Sequence, residues 1–197
     1  MTISIPQKVG KAKELLPRKS NMTILVQKFR NPKTGRVYER LLVDGLFNPS
    51  LVLAITKDKR IVAIRHFRHA ANKPVLEIPG GTMGRGVSPR QAARKELEEE
   101  TGYRAGKLIP LSRQPIWFEP TTLTVRYYSF LALDCVPSGK PVPQESDLLE
   151  LKLIPISTWL RMIRNGTISD SKTVATTMLA LPYLRHIPWR NRRSLRT

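Results

Sequence analysis

Apolar residues along this chain fall into short runs of strand length separated by turn chemistry, and into three longer stretches that read as helices. Residues 22–29 (MTILVQKF) and 37–43 form a hairpin pattern across Asn31, Pro32 and Gly35. A second hairpin is expected from 51–56 and 60–67, closed over Lys57, Asp58 and Lys59. Residues 75–78 read as a short strand that runs directly into Pro79, Gly80 and Gly81. Residues 88–101 are the clearest helix, followed by strands at 105–111, 124–133 and 148–154 and helices at 156–164 and 171–184. Strands and helices mix without a βαβ rhythm, so the expected fold class is α+β or a sandwich. The chain carries no internal repeat and no coiled-coil heptads.

The 88–101 helix has its start and stop written in the sequence. Ser88 can cap, Pro89 suits the first turn, and Gln91 completes a capping box. Gly102 fits the left-handed position just past the end. At 100° per residue, Glu96, Glu99 and Glu100 share about a third of the circumference, beside Ala92, Ala93 and Leu97, while Glu98 points to solvent. Three carboxylates on a partly buried face repel one another and resist desolvation. A hard divalent cation, Mg²⁺ or Mn²⁺, would compensate them. The alternative is a solvated acidic face paired with neighbouring Lys and Arg.

Composition sharpens that choice. The 197 residues hold 34 Lys and Arg against 15 Asp and Glu, a net charge of +19, and four of those acids fall within 96–100. Such a field favours anionic partners, nucleotides or nucleic acid. The length suits one domain, and no apolar run approaches the roughly 20 residues of a membrane span. Residues 1–20 form a basic segment, expected to be flexible, whose one acid is Glu14. Residues 21–184 form the domain, including an N-terminal strand layer. In the tail, 185–197, Arg185, Arg190, Arg192, Arg193 and Arg196 surround Trp189, a composition suited to disorder or to holding nucleic acid. Cys135 is the one cysteine, which fits a reducing, cytoplasmic setting.

The segment from Gly81 through Val87 to Lys95-Glu96-Leu97-Glu98-Glu99-Glu100-Thr101-Gly102-Tyr103 resembles the Nudix box. That box is a glycine, five residues, Glu, seven residues, then Arg-Glu-apolar-x-Glu-Glu-x-Gly-apolar. Its spacing is met throughout, with Val87 in place of the first Glu and Lys95 in place of Arg. The resemblance implies a Nudix fold: mixed sheets sandwiched between helices, here with an N-terminal hairpin layer. It implies Glu96 and Glu100 as metal ligands, Glu99 as a ligand or water-orienting acid, and the Gly80 carbonyl as a further ligand.

Arg65-His66-Phe67-Arg68, Leu76-Glu77-Ile78-Pro79-Gly80-Gly81 and the 165–170 stretch are similar to the ADP-ribose pyrophosphatase branch. On that resemblance Arg68 holds the diphosphate, Glu77 joins the metal network, and Glu145, with Asp147 second, is the catalytic base. Trp117 or Phe118 would stack an adenine, and Thr121 stands where the branch often has glycine after Pro120. The expected activity is hydrolysis of ADP-ribose or a nucleotide sugar to a nucleoside monophosphate and a sugar phosphate, by a homodimer. Two other readings stand beside it: action on RNA 5′ ends or dinucleoside polyphosphates, and a catalytically weak domain that binds nucleotide or nucleic acid.

Overall fold

The computed structural model describes residues 4–16, 22–142 and 149–184. The chain divides into two compact units, residues 1–48 with 117–127, and residues 49–116 with 128–197.

The first unit is a three-stranded antiparallel sheet in the order β1 (Gln7–Glu14), β2 (Met22–Arg30), β3 (Val37–Gly45). The expected hairpin pairs without a break from Met22↔Gly45 to Arg30↔Val37. Its turn closes as the sequence suggests: the Gly35 amide donates to the Asn31 carbonyl, and the Asn31 side chain accepts from the amides of Lys33 and Thr34. β1 is an addition within the basic N-terminal segment. Its side chains are almost all exposed, so no alternation announces it. Two buried polar residues of β2 hold it instead. The Gln27 amide donates to the Val9 carbonyl at 3.3 Å, and the Thr23 hydroxyl donates to Glu14 at 2.8 Å. Thr122 and Thr124 hydrogen-bond the backbone of Val43 on the far strand.

The second unit is built on β4 (Pro49–Thr56), whose residues are all buried. A strand buried on both faces lies between two layers. Around it run β5 (Arg60–Arg68), β6 (Lys73–Glu77), β7 (Gly80–Thr82), β8 (Tyr103–Arg104), β9 (Lys107–Pro110), β10 (Ile116–Trp117), β11 (Arg126–Pro137) and β12 (Leu149–Pro155). β11, β4, β5 and β12 lie side by side in that order, with β11 parallel to β4 and the other two pairings antiparallel. β6 extends the β5 edge and β7 pairs with β4.

Three α-helices, α1 (Pro89–Thr101), α2 (Ile156–Arg164) and α3 (Ser171–Leu184), and one 3₁₀ turn, His69–Ala71, complete the described residues. Val52, Ala54 and Val62 pack with Ala93 and Leu97 of α1. Leu51, one residue out of phase, stands beside Ser129, whose hydroxyl meets Thr176 of α3 at 3.0 Å. Helices therefore cover both faces of the sheet, the mixed α+β sandwich expected from the sequence. α3 tolerates Pro182 near its end, and Trp159 of α2 donates its indole N–H to Thr177 of α3. No helix among the described residues is long and apolar enough to cross a membrane.

Candidate active site

α1 begins as the sequence specifies. Ser88 accepts from the Gln91 amide, the Gln91 side chain accepts from the Ser88 amide at 3.0 Å, and Pro89 occupies the first turn. Gly102 ends it at φ 69°, its amide donating to the Glu98 carbonyl. Ala92, Ala93 and Leu97 are buried and Glu98 is exposed. Glu96 and Glu99 are half-buried, and Glu100 is 8% exposed.

The glycine segment meets this acidic face through two contacts. The Gly80 amide donates to Glu100 Oε2 at 2.8 Å. The Glu96 carboxylate lies so close to Gly81 that a Cβ there would stand 2.5 Å from Glu96 Oε2. A side chain at 81 would thus have to displace the Glu96 carboxylate, the far end of a flexible side chain. Residues 80–82 pair with β4 as a strand, which the sequence had presented as a glycine loop. The segment is pinned upstream as well. The Val52 amide donates to the Pro79 carbonyl at 2.9 Å, and the Ile78 amide donates to the Thr173 hydroxyl of α3 at 3.2 Å.

The three acids share a face but are held differently. Glu99 pairs with Lys95 at 3.0 Å, one turn back, and this contact raises the Lys95 pKa. Glu100 is turned to the Gly80 amide. Part of the compensation is therefore supplied by Lys95, as the alternative of pairing with neighbouring Lys and Arg had it, and part by a backbone N–H. Among the described residues, no three carboxylate, imidazole or thiol groups converge closely enough to hold a metal ion as their side chains stand. The donor set still fits a hard divalent cation, since Glu96, Glu99, Glu100 and the Gly80 carbonyl offer oxygen alone. Val87, at the departure from the box, is partly exposed at 36%.

Arg68 and Glu77 are brought together. Arg68 Nε and Nη2 donate to Glu77 Oε1 and Oε2 at 2.9 and 2.6 Å, a bidentate pair on a carboxylate that is 3% exposed. The Glu77 hydrogen bonds, working against burial, raise the Arg68 pKa, and the charges of Glu100 and Asp170 add to the effect. Arg68 thereby links the β6 carboxylate electrostatically to the acidic face of α1.

Asp170 and Thr173 were given no role by sequence reasoning, although the start of the 171–184 helix was legible. Asp170 accepts from the Thr173 amide at 2.9 Å and pairs with Lys172. Burial pushes the Asp170 pKa up, but Lys172 and Thr173 outweigh it and hold the carboxyl below its ordinary value. An aspartate three residues before a threonine at a helix start was the available signal.

Trp117 and Phe118 belong to the first unit. Trp117 is 48% exposed, with the Arg126 guanidinium 4.9 Å from its ring centroid. Phe118 stands edge-on to buried Tyr127, with centroids 5.0 Å apart. Glu145, Asp147 and the 185–197 tail lie outside the described residues.

Residues 47–175 match the NUDIX domain family. Over 135 residues the chain is 30% identical to an ADP-ribose pyrophosphatase of Bacillus subtilis (strain 168), covering 68% of this chain and 70% of that one. It is 34% identical over 137 residues to a methanol dehydrogenase activator of Bacillus methanolicus, with the same coverage, 68% and 70%. It is 31% identical over 163 residues to a GDP-mannose pyrophosphatase of Escherichia coli (strain K12), covering 78% and 82%. A solved structure of an ADP compounds hydrolase superposes with a TM-score of 0.77 at 20% identity, covering 94% of this chain and 97% of that one.

Proposed function

The chain belongs to the NUDIX family, and from that premise we propose that it is a divalent-cation-dependent pyrophosphohydrolase that cleaves ADP-ribose or a nucleotide sugar. The products are a nucleoside monophosphate and a sugar phosphate. The observation that carries this reading is the seating of Glu96 against Gly81 and of Glu100 on the Gly80 amide, which gathers carboxylates and backbone at one point of the fold. Similarity to a pyrophosphatase of ADP-ribose and to one of GDP-mannose supports the substrate class.

Glu96, Glu100, Glu99 and the Gly80 carbonyl would hold the cation, with Mg²⁺ the preferred ion and Mn²⁺ a substitute. When bound, the cation supplies charge neutralisation on the diphosphate and lowers the pKa of water. Glu99, paired with Lys95 in this structure, would leave that partner to join the set. The water oxygen forms the new bond to one phosphorus, and the bond from that phosphorus to the bridging oxygen breaks, with the electron pair leaving on the other phosphate. Glu145, or Asp147 in its place, takes the water proton. Arg68 commits two of its five guanidinium donors to Glu77, so Glu77 holds the guanidinium plane while the remaining donors meet diphosphate oxygens.

We assign the enzyme to the cytoplasm, in keeping with its single, buried cysteine. We also assign it to a homodimer. Met22, Val37 and Leu41 are exposed on one face of the β2–β3 hairpin, interleaved with the Lys28–Glu39 pair, a mixed surface that self-association would cover.

A second reading, hydrolysis at RNA 5′ ends or of dinucleoside polyphosphates, is favoured by the +19 net charge. One experiment separates the two. The full chain is incubated with Mg²⁺ and, separately, ADP-ribose, GDP-mannose, a dinucleoside polyphosphate and 5′-triphosphorylated RNA, and released phosphates are resolved by chromatography. Turnover of ADP-ribose or GDP-mannose is the expected result. Turnover of the RNA or the dinucleoside polyphosphate alone transfers the assignment to the second reading, and turnover of none overturns both.

A further inference from the structure

A cavity of about 340 Å³ lies in the second unit, between the β5–β6–β12 edge and the segment joining α2 to α3. Its walls are unlike those of a packing void. Arg65, Lys73 and Lys152 bring three cations to it, and Ser169 stands on its wall beside Thr167, whose hydroxyl donates to Asn165. The neighbouring acid, Glu150, stands opposite Arg65 on β12, where it pairs with Lys152. Three cations against one acid leave the cavity electropositive. Leu76 and Met162 give it an apolar floor.

Strand register separates Arg65, Leu76 and Lys152 from the Arg68–Glu77 pair, while Lys73, which stands opposite Arg68, reaches the cavity from the strand end. Arg65 stands opposite Leu76 and Ile64 opposite Glu77, so successive residues project from opposite faces of the sheet. Arg65 and Leu76 line the cavity on one face, while the Glu77 carboxylate and the Arg68 guanidinium meet on the other. The volume sits at the lower end of the roughly 300–1,000 Å³ of small-molecule pockets, room for a mononucleotide rather than a dinucleotide.

We propose that this cavity is a second, non-catalytic site for a phosphate monoester of mononucleotide size. The phosphate pairs with Arg65, Lys73 and Lys152, the Ser169 hydroxyl completes its hydrogen bonds, and the nucleoside body lies over Leu76 and Met162. Arg supplies the bidentate fork for phosphate oxygens and the lysines supply point charge.

The site connects to the rest of the fold through its own walls. Lys73 and Leu76 belong to the same strand as Glu77, and Ser169 immediately precedes Asp170, whose charge acts on Arg68. A ligand bridging β6 to the 167–169 segment therefore ties together two elements that set the Arg68 environment.

The test is calorimetric titration of the full chain in a chelator, with AMP and inorganic phosphate as probes. AMP is expected to bind saturably, at least fivefold more tightly than phosphate. The double variant Arg65→Ala, Lys73→Ala should weaken AMP binding at least tenfold, and Arg68→Ala should change it less than twofold. Ser169→Glu, which places a negative charge at the rim without removing a cation, should weaken AMP binding in the same way and covers the case of a double variant that does not fold. Three outcomes overturn the proposal: no saturable AMP binding by the unaltered chain, a loss that follows Arg68 instead of the cavity residues, or phosphate binding as tightly as AMP.

Discussion

The carboxylate of Glu96 rests against the α-carbon of Gly81, where a single added methyl group would stand 2.5 Å from Glu96 Oε2. This contact brings the strand after Pro79 directly against the acidic face of α1. Gly81→Ala is expected to displace that carboxylate and lower kcat at least about tenfold, since small misplacements of a reacting group are costly. The check is steady-state kinetics beside a thermal melt. A variant with unchanged kcat would show that the Glu96 position does not matter to turnover.

Arg68 and Glu77 make a different kind of contact. Truncating Arg68 to Ala leaves a carboxylate that is 3% exposed without its bidentate partner, at an expected cost of about 1–3 kcal/mol. Arg68→Lys restores charge but not the fork, so it should recover part of the stability and little of the substrate affinity. Denaturant melts and KM for the two variants check this. Full recovery of KM by lysine would contradict a geometric role for the guanidinium.

Asp170 gives a pH signature. Its folded pKa lies below the ordinary 3.8, so its contribution is fully present above the unfolded value and is lost as pH falls through the folded one. Asp170→Asn should therefore be less stable than the unaltered chain at pH 7. The difference should shrink below about pH 4, the ordinary carboxylate range. Melting temperatures from pH 7 down to pH 3 test the sign.

The cap of α1 offers a check on local structure alone. Ser88→Ala removes the acceptor for the Gln91 amide and half of the capping box, an expected loss of about 1 kcal/mol. For a chain of this size that is about 2–4 °C in Tm. An unchanged melt would mean that the capping box contributes nothing to global stability.

Much of this was legible in the sequence, and the reasons are local. Ser88, Gln91 and Gly102 mark the bounds of α1 through backbone hydrogen bonds within a few residues of themselves. The helical period alone places Leu97 inside and Glu98 outside. What escaped depends on partners distant in the chain. β1 is held by its antiparallel ladder to β2 and by bonds from Thr23 and Gln27, with no alternation of its own to announce it. The Arg68–Glu77 pair needs the β5–β6 register, and the Thr173 clamp on Ile78 spans 95 residues. The crowding of Glu96, Glu99 and Glu100 was visible, but its partial relief by Lys95 and the Gly80 amide is a matter of side-chain direction that sequence spacing does not fix.

The central claim is that the acidic face of α1, seated on Gly80 and Gly81, performs cation-dependent hydrolysis of a nucleoside diphosphate derivative. The most direct test is turnover of ADP-ribose followed by ³¹P NMR, with and without Mg²⁺, for the unaltered chain and for Glu96→Gln. The expected result is turnover that stops with chelator and falls about 100-fold or more in the variant, with an unchanged melting temperature. Turnover that survives either the chelator or the substitution would contradict the account.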